Sequence, residues 1–118
     1  MWAMIDLYID IINGKGRGVR TRNKIMKDTV IEIAPCIEVN VDDIQNTILK
    51  NYCFGAISRN KLAICFGYAS MYNHSDEPNV YATRYDKENK SFTFITSRDV
   101  DVNEELCIDY GYKKEGWV

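Results

Sequence analysis

The chain has 118 residues, of which 46% are hydrophobic and 27% charged, and its formal net charge is −2. This length suits one domain with one hydrophobic core, which we expect to span residues 1–118. Basic and acidic residues nearly balance, which argues against DNA or RNA as the main ligand. The chain lacks both a signal-peptide pattern and the run of roughly 18 apolar residues that a membrane helix needs, so we expect an intracellular protein.

Short apolar runs separated by turn residues predict mainly β structure. The first strand is expected over residues 7–12, and a turn with three glycines, residues 13–18, follows it. Glycine permits positive φ and a close approach of the backbone, so this turn could also cradle a ligand. By itself it predicts a hairpin turn, because its third glycine comes too early for a dinucleotide-binding fingerprint.

One helix is predicted, over residues 42–54, where Asp42 or Asp43 can cap the first turn. Ile44, Thr47, Ile48 and Tyr52 recur near one face of that helix. We expect the other strands at residues 30–33 (ended by Pro35), 36–40, 61–68, 79–85, 92–96 and 106–108. The fold class is therefore mainly β with one notable helix, and the strands at 79–85 and 92–96 are expected to form a hairpin.

A single histidine, His74, limits the catalytic chemistry that the chain could carry. It lies among Asn, Ser, Asp and Pro residues, a composition typical of a tight turn, and a structural histidine is the simplest interpretation of that turn. Cysteines occur singly and mostly in apolar runs, which predicts buried thiols and favours neither a zinc site nor a disulfide framework. These cysteines are Cys36, Cys53, Cys65 and Cys107.

Five segments taken together resemble the SET-domain protein lysine methyltransferases. In chain order they are Gly16-Arg17-Gly18-Val19, Tyr52-Cys53-Phe54, the run from Ile64 to Tyr72, Asn73-His74-Ser75 with Pro78-Asn79, and Glu105-Leu106 with Asp109-Tyr110-Gly111. Each segment alone is a weak signal, but all five occur in the family's order without a large insertion. The resemblance implies small curved sheets of the β-clip type and a C-terminal pseudoknot that brings the last two segments together.

The resemblance also implies S-adenosylmethionine as the cofactor and a lysine-containing protein or peptide as the substrate. The implied cofactor-binding residues are Lys15, Gly16, Arg17, Tyr52, Asn73, His74 and Trp117. The implied walls of the lysine channel are Tyr52, Tyr68, Tyr72, Ile108 and Tyr112.

Tyr110 corresponds to the catalytic tyrosine of the family. A neutral phenol has a pKa near 10, so Tyr110 is better suited to orienting the amine than to acting as a strong base. Ile108 stands two residues earlier, where many relatives carry Phe or Tyr. Its smaller size and its lack of a hydroxyl favour the addition of more than one methyl group.

The chain departs from many histone-directed relatives at Asp76, where they carry a zinc-binding cysteine, so no metal is expected. Trp117 is the candidate that closes the channel, and a homodimer is a candidate assembly. A histone or histone-like tail is the first substrate to consider. A non-histone substrate, and a catalytically silent SET-like module that binds a peptide, are the alternatives. If the chain comes from a virus or an effector, it would act in the host nucleus, and otherwise in the cytoplasm.

Overall fold

The computed structural model describes residues 5–110, except for the side chains of residues 55 and 56. Its strands are β1 (Leu7–Ile12), β2 (Gly16–Thr21), β3 (Val30–Asn40), β4 (Cys53–Ser58), β5 (Lys61–Cys65), β6 (Asn73–His74), β7 (Val80–Ala82), β8 (Ser91–Thr96) and β9 (Glu105–Ile108). A short helix α1 (Val41–Ile44) and two 3₁₀ helices (Ile48–Tyr52 and Gly67–Ser70) connect them. The predicted class, mainly β with small sheets, is confirmed.

The first sheet has the strand order β1-β2-β9-β6. Strands β1 and β2 form the predicted hairpin, closed at the Ile12–Gly16 pair, and Gly14 and Gly16 take φ values of 79° and 83°. A φ in this range is costly for residues with a Cβ, which explains the two glycines. Strand β9 comes from the far end of the chain and lies between β2 and β6, so both of its edges are paired.

The second sheet has the order β4-β5-β3-β8-β7, with the long strand β3 at its centre. The sequence predicted that Pro35 would end a strand, and this was wrong, because β3 continues through Pro35 to Asn40. Proline is tolerated there because β3 changes its partner at that point. Residues 30–35 pair with β8, and residues 36–40 pair with β5. A missing N–H therefore interrupts neither ladder.

The predicted hairpin near the C-terminal third is confirmed, although its first strand is shorter than expected. Strands β7 and β8 pair antiparallel, from Val80 opposite Thr96 to Ala82 opposite Phe94. Phe94 is fully buried and packs against Tyr72 and Phe54. This aromatic cluster joins the second sheet to the segment that leads into β6.

The helix predicted over residues 42–54 is largely absent. Helix α1 ends at Ile44, and the chain then turns into a 3₁₀ helix and β4. The Thr47 hydroxyl donates to the Ile44 carbonyl and accepts from the Leu49 N–H, so it ends one helix and caps the next. Side-chain bonds of this kind compete with helical hydrogen bonding. The expected apolar face also lacks a partner, since Ile48 is 68% exposed.

The strand predicted over residues 61–68 ends at Cys65. Gly67, with a φ of 83°, turns the chain out of the sheet and begins the second 3₁₀ helix. Across residues 5–110, no helix is long and apolar enough to cross a membrane.

Candidate active site

Strand β9 brings the two polar motifs of the sequence into contact. It pairs in parallel with β6, so that Asn73 lies opposite Cys107 and His74 opposite Ile108. On its other edge it pairs with β2, with Val19 opposite Leu106. We call the residues that meet here the motif junction: Gly18, Asn73, Asn79, Glu105 and Tyr110.

Asn73 links the glycine turn to β9. Its amide nitrogen donates to the main-chain oxygen of Arg17 at 3.1 Å and to Oε2 of Glu105 at 2.8 Å. A Cβ on Gly18 would lie 2.6 Å from that nitrogen and 2.8 Å from the carboxylate, so glycine is required here for close approach. Because both amide hydrogens have partners, Asn73 can hold a ligand through its Oδ1 atom and its main chain.

Glu105 also reaches the turn itself. Its Oε1 atom pairs with Nζ of Lys15 at 3.1 Å, and this bond raises the pKa of the Lys15 ammonium. A Cβ on Gly16 would meet no atom of residues 5–110 within 4 Å, so this part of the chain leaves the turn open on that side. The predicted residues Lys15, Gly16 and Arg17 thus border open space next to Asn73.

The side chain of Asn79 holds the main chain of β9 in place. Its amide donates to the main-chain oxygen of Glu105, and its Oδ1 accepts from the Cys107 N–H, both at 2.8 Å. The side chain is 2% exposed, so both bonds are shielded from water. Because the buried side chain of Asn79 bonds to two main-chain groups of β9, it fixes the position of β9 between its two neighbouring strands.

The ring of His74 is held at both nitrogens. Nδ1 accepts from the Tyr110 N–H at 3.1 Å, and Nε2 lies 3.0 Å from Oδ1 of Asp76. The hydrogen-bond pattern assigns the proton to Nε2, which donates to Asp76. Asp76 therefore orients the histidine ring. His74 would therefore contact a ligand mainly through its main chain.

Tyr110 lies at the end of the junction. Its hydroxyl donates to the main-chain oxygen of Tyr72, and its ring lies 5.5 Å from that of His74. Since the phenol proton points at a carbonyl, the lone pairs of the phenol oxygen point away from it. The orienting role that is expected of Tyr110 toward an amine stays a prediction.

The proposed channel residues occupy unequal positions. Tyr72 is fully buried, and its hydroxyl donates to Glu32, so its main-chain oxygen faces the site in place of its ring. Ile108 is buried beside His74, and the Tyr68 hydroxyl donates to the Leu7 carbonyl. Tyr52 ends the first 3₁₀ helix and is 37% exposed. The roles of these residues toward a ligand stay predictions.

Two predicted residues, Tyr112 and Trp117, lie outside the described residues. Among residues 5–110, no group of three or more His, Cys, Asp and Glu side chains is arranged to hold a metal ion. All four cysteines are free thiols; Cys36, Cys65 and Cys107 are buried as predicted, whereas Cys53 is only half-buried. Cys36 and Cys65 face each other across β3 and β5 with their sulfurs 3.0 Å apart, a proximity that their sequence spacing did not suggest.

Asn79 and Glu105 belong to the motifs that the sequence shows, but no role was predicted for either residue. Their spacing within the motifs was the available signal, yet their partners lie 26 residues apart along the chain or farther. Glu32 was missed altogether, because one acidic residue in an apolar strand resembles an ordinary solvent-facing position.

A family model, the SET domain, matches residues 16–111. Across 101 residues the chain is 38% identical to a histone-lysine N-methyltransferase of Schizosaccharomyces pombe that is specific for H3 lysine-37, covering 82% of this chain and 67% of the relative. It is 46% identical over 50 residues to a potential protein lysine methyltransferase of Saccharomyces cerevisiae, covering 38% of this chain and 13% of the relative. The chain belongs to the SET-domain family, whose members include protein-lysine methyltransferases.

Solved structures agree on the fold. A candidate histone methyltransferase from Plasmodium falciparum superposes with a TM-score of 0.76 and 27% identity, over 93% of this chain and 96% of that one. SUVH6 of Arabidopsis thaliana, crystallised with S-adenosylmethionine, gives a TM-score of 0.77 at 20% identity, over 92% of this chain and 29% of that one. The predicted curved-sheet SET fold is confirmed by these structures.

Proposed function

We propose that this protein transfers a methyl group from S-adenosylmethionine to the side-chain amine of a lysine in a protein, with a histone or histone-like tail as the first substrate to test. The observation that carries the proposal is the hydroxyl of Tyr110 on the Tyr72 carbonyl, at one end of the motif junction. The Schizosaccharomyces pombe relative, named for its action on histone H3, supports this substrate class.

The residues at the glycine turn suit the cofactor. Gly16 borders open space, and the Oδ1 atom of Asn73 has no protein hydrogen bond among the described residues. The Lys15 ammonium lies at the same edge and suits a carboxylate such as the amino-acid end of S-adenosylmethionine. Main chain near Lys15, Gly16 and Arg17 would hold that end, and Asn73 and His74 would hold the adenosine. When bound, this cofactor supplies an electrophilic methyl group on a sulfonium.

The chain's own contribution is to orient the amine. Free lysine has a pKa near 10.4, so the neutral amine costs about 4–5 kcal/mol at pH 7. Buried apolar surroundings such as Ile108 disfavour the ammonium and lower that cost. Solvent takes the proton of the lysine ammonium before transfer. The Tyr110 oxygen then accepts a hydrogen bond from the neutral amine, which aligns the lone pair of the amine nitrogen with the methyl group. Tyr110 thus orients the nucleophile without acting as a strong base.

Ile108 supports a proposal about the product. It lies opposite His74 in the pairing of β9 with β6 and offers no hydroxyl to hold a partly methylated amine in one orientation. We expect the enzyme to add more than one methyl group. Mass spectrometry of a good substrate after long incubation would detect di- or trimethyllysine, and monomethyllysine alone would contradict this expectation.

Calorimetry with S-adenosylhomocysteine is the first test, and a flat trace would overturn the proposed cofactor. A transfer assay with labelled cofactor, histone tails and a non-histone basic protein then identifies the substrate class. Cofactor binding without transfer to any of these would favour a silent peptide-binding module. A protein substrate of this kind implies an intracellular site of action, in the cytoplasm or in a host nucleus, and a homodimer would appear in light scattering as twice the mass.

The critical variant is Tyr110→Phe. We expect it to lower turnover about 100-fold, because misplaced reactants lose rate on that scale, while affinity for S-adenosylhomocysteine stays the same. Turnover equal to that of the unmodified protein would remove Tyr110 from its role.

A further inference from the structure

A chain of hydrogen bonds runs beneath the site, from Tyr110 to a carboxylate on β3. The Tyr110 hydroxyl donates to the Tyr72 main-chain oxygen. The ring of Tyr72 is fully buried, and its own hydroxyl donates to Oε1 of Glu32 at 2.8 Å. The carbonyl that receives Tyr110 therefore belongs to a residue whose side chain is tied to Glu32.

The same carboxylate holds the other end of this segment. Oε2 of Glu32 accepts from the Tyr68 N–H at 2.7 Å, at the start of the second 3₁₀ helix. A Cβ on Gly67 would lie 2.4 Å from Oε2, so the turn closes directly onto the carboxylate. Residues 67–72 are thus fixed at both ends by one side chain, and the position of the Tyr72 carbonyl follows from that of Glu32.

The presence of a carboxyl group at position 32 is not explained by packing alone. Burial raises its pKa, and the bonds from the Tyr72 hydroxyl and from the Tyr68 and Ala69 N–H groups oppose that rise. An apolar residue of similar volume would avoid the cost of burying a carboxyl group. A carboxylate, however, has two acceptor oxygens that can hold two donors at a fixed separation, which an apolar residue cannot do.

We propose that Glu32 is a positioning residue for methyl transfer: by holding Tyr68 and Tyr72 it sets the carbonyl that orients the Tyr110 hydroxyl. This inference rests on the proposed function for its catalytic consequence. Glu32 does not touch the reacting groups, and it acts through the main chain of Tyr72.

Two variants break the link at different points, and a third serves as a matched control. Tyr72→Phe removes only the hydroxyl that reaches Glu32, and Glu32→Gln replaces one acceptor oxygen with a donor. Tyr85→Phe removes a similar bond, because the Tyr85 hydroxyl donates at 2.7 Å to Oε2 of Glu38 on the same strand. Glu38 and Tyr85 lie outside the motif junction.

We expect Tyr72→Phe and Glu32→Gln to lower kcat about tenfold with an unchanged KM for S-adenosylmethionine, because orientation is lost while cofactor binding is kept. Tyr85→Phe should keep kcat within about twofold. If all three folded variants keep kcat, or if Tyr85→Phe loses as much as Tyr72→Phe, the positioning role is wrong. Should Glu32→Gln fail to fold, Tyr72→Phe decides the matter, since it keeps the ring and loses one hydrogen bond.

A spectroscopic measurement separates this proposal from the proposed function. Tyrosine labelled with ¹³C at the ring carbon that bears the hydroxyl gives an NMR signal for Tyr110, assigned by its loss in Tyr110→Phe. We expect the signal to shift in Tyr72→Phe and Glu32→Gln and to stay in place in Tyr85→Phe. A shift without methyl transfer by the unmodified protein would sink the proposed function and keep the link. An unmoved signal would sink the link whether or not the protein is active.

Discussion

The motif junction and the segment 41–58 differ in how far their side chains are held by other parts of the protein. In the junction, Asn73, Asn79 and Glu105 each make two or more hydrogen bonds to groups that are distant in sequence. In residues 41–58, by contrast, Ile48 and Leu49 are 68% and 44% exposed. The first region is built to hold one geometry, whereas the second presents apolar surface. We expect a single substitution to have a larger effect in the motif junction than at the exposed positions of the segment 41–58.

The strongest test of the rigid region is Asn79→Ala. It removes the side-chain partner of the Glu105 carbonyl and of the Cys107 N–H in a buried place, so we expect a loss of about 3 kcal/mol in the free energy of unfolding. Urea unfolding measures this loss. Asn89→Ala, which removes an exposed bond to Asp86, is the control and should cost less than about 0.5 kcal/mol. Equal losses would contradict the special position of Asn79.

The next largest effect is expected at Gly18. A Cβ there would press on Asn73 and Glu105, so Gly18→Ala should cost about 1–3 kcal/mol and weaken S-adenosylhomocysteine binding. Gly16→Ala meets open space but must take a φ of 83°, so we expect about 1 kcal/mol. Urea unfolding compares the stability of the two variants, and calorimetry compares their affinity for S-adenosylhomocysteine. Tighter binding in Gly18→Ala would show that Asn73 does not border the ligand.

The pH dependence of stability tests the carboxylate beneath the junction. Burial raises the pKa of Glu32 above its ordinary value of 4.5, so the folded protein holds this proton more tightly than the unfolded chain does. The stability it contributes is complete below pH 4.5 and is lost as pH rises through the higher pKa of the folded state. Relative to Glu32→Gln, the unmodified protein should therefore lose free energy of unfolding over that rise. A constant difference between the two pH curves would contradict the shift.

The smallest effect is expected in the open region. Ile48→Ser changes an exposed side chain, so the free energy of unfolding should shift by less than about 0.5 kcal/mol, with unchanged affinity for S-adenosylhomocysteine. Any effect on methyl transfer should appear in the KM for the protein substrate. A large loss of stability would show that Ile48 packs against part of the protein, and the contrast between the two regions would fail.

The sequence by itself determined the strands whose apolar pattern is local and whose ends carry turn residues. Strand β1, its glycine turn and the pairing of β7 with β8 were predictable for this reason. The family followed from five short motifs in order, and with it the meeting of Asn73 with the segment that contains Tyr110.

Tertiary structure decided the rest, because the deciding contacts join residues that are distant in sequence. Pro35 lies within β3 only because that strand exchanges partners there, and Thr47 ends a helix that periodicity alone would continue. Glu32 resembles a surface residue until Tyr72, which is 40 positions away, is seen to donate to it. At the motif junction, the sequence supplied the residue types, and the insertion of β9 between β2 and β6 gave them their partners.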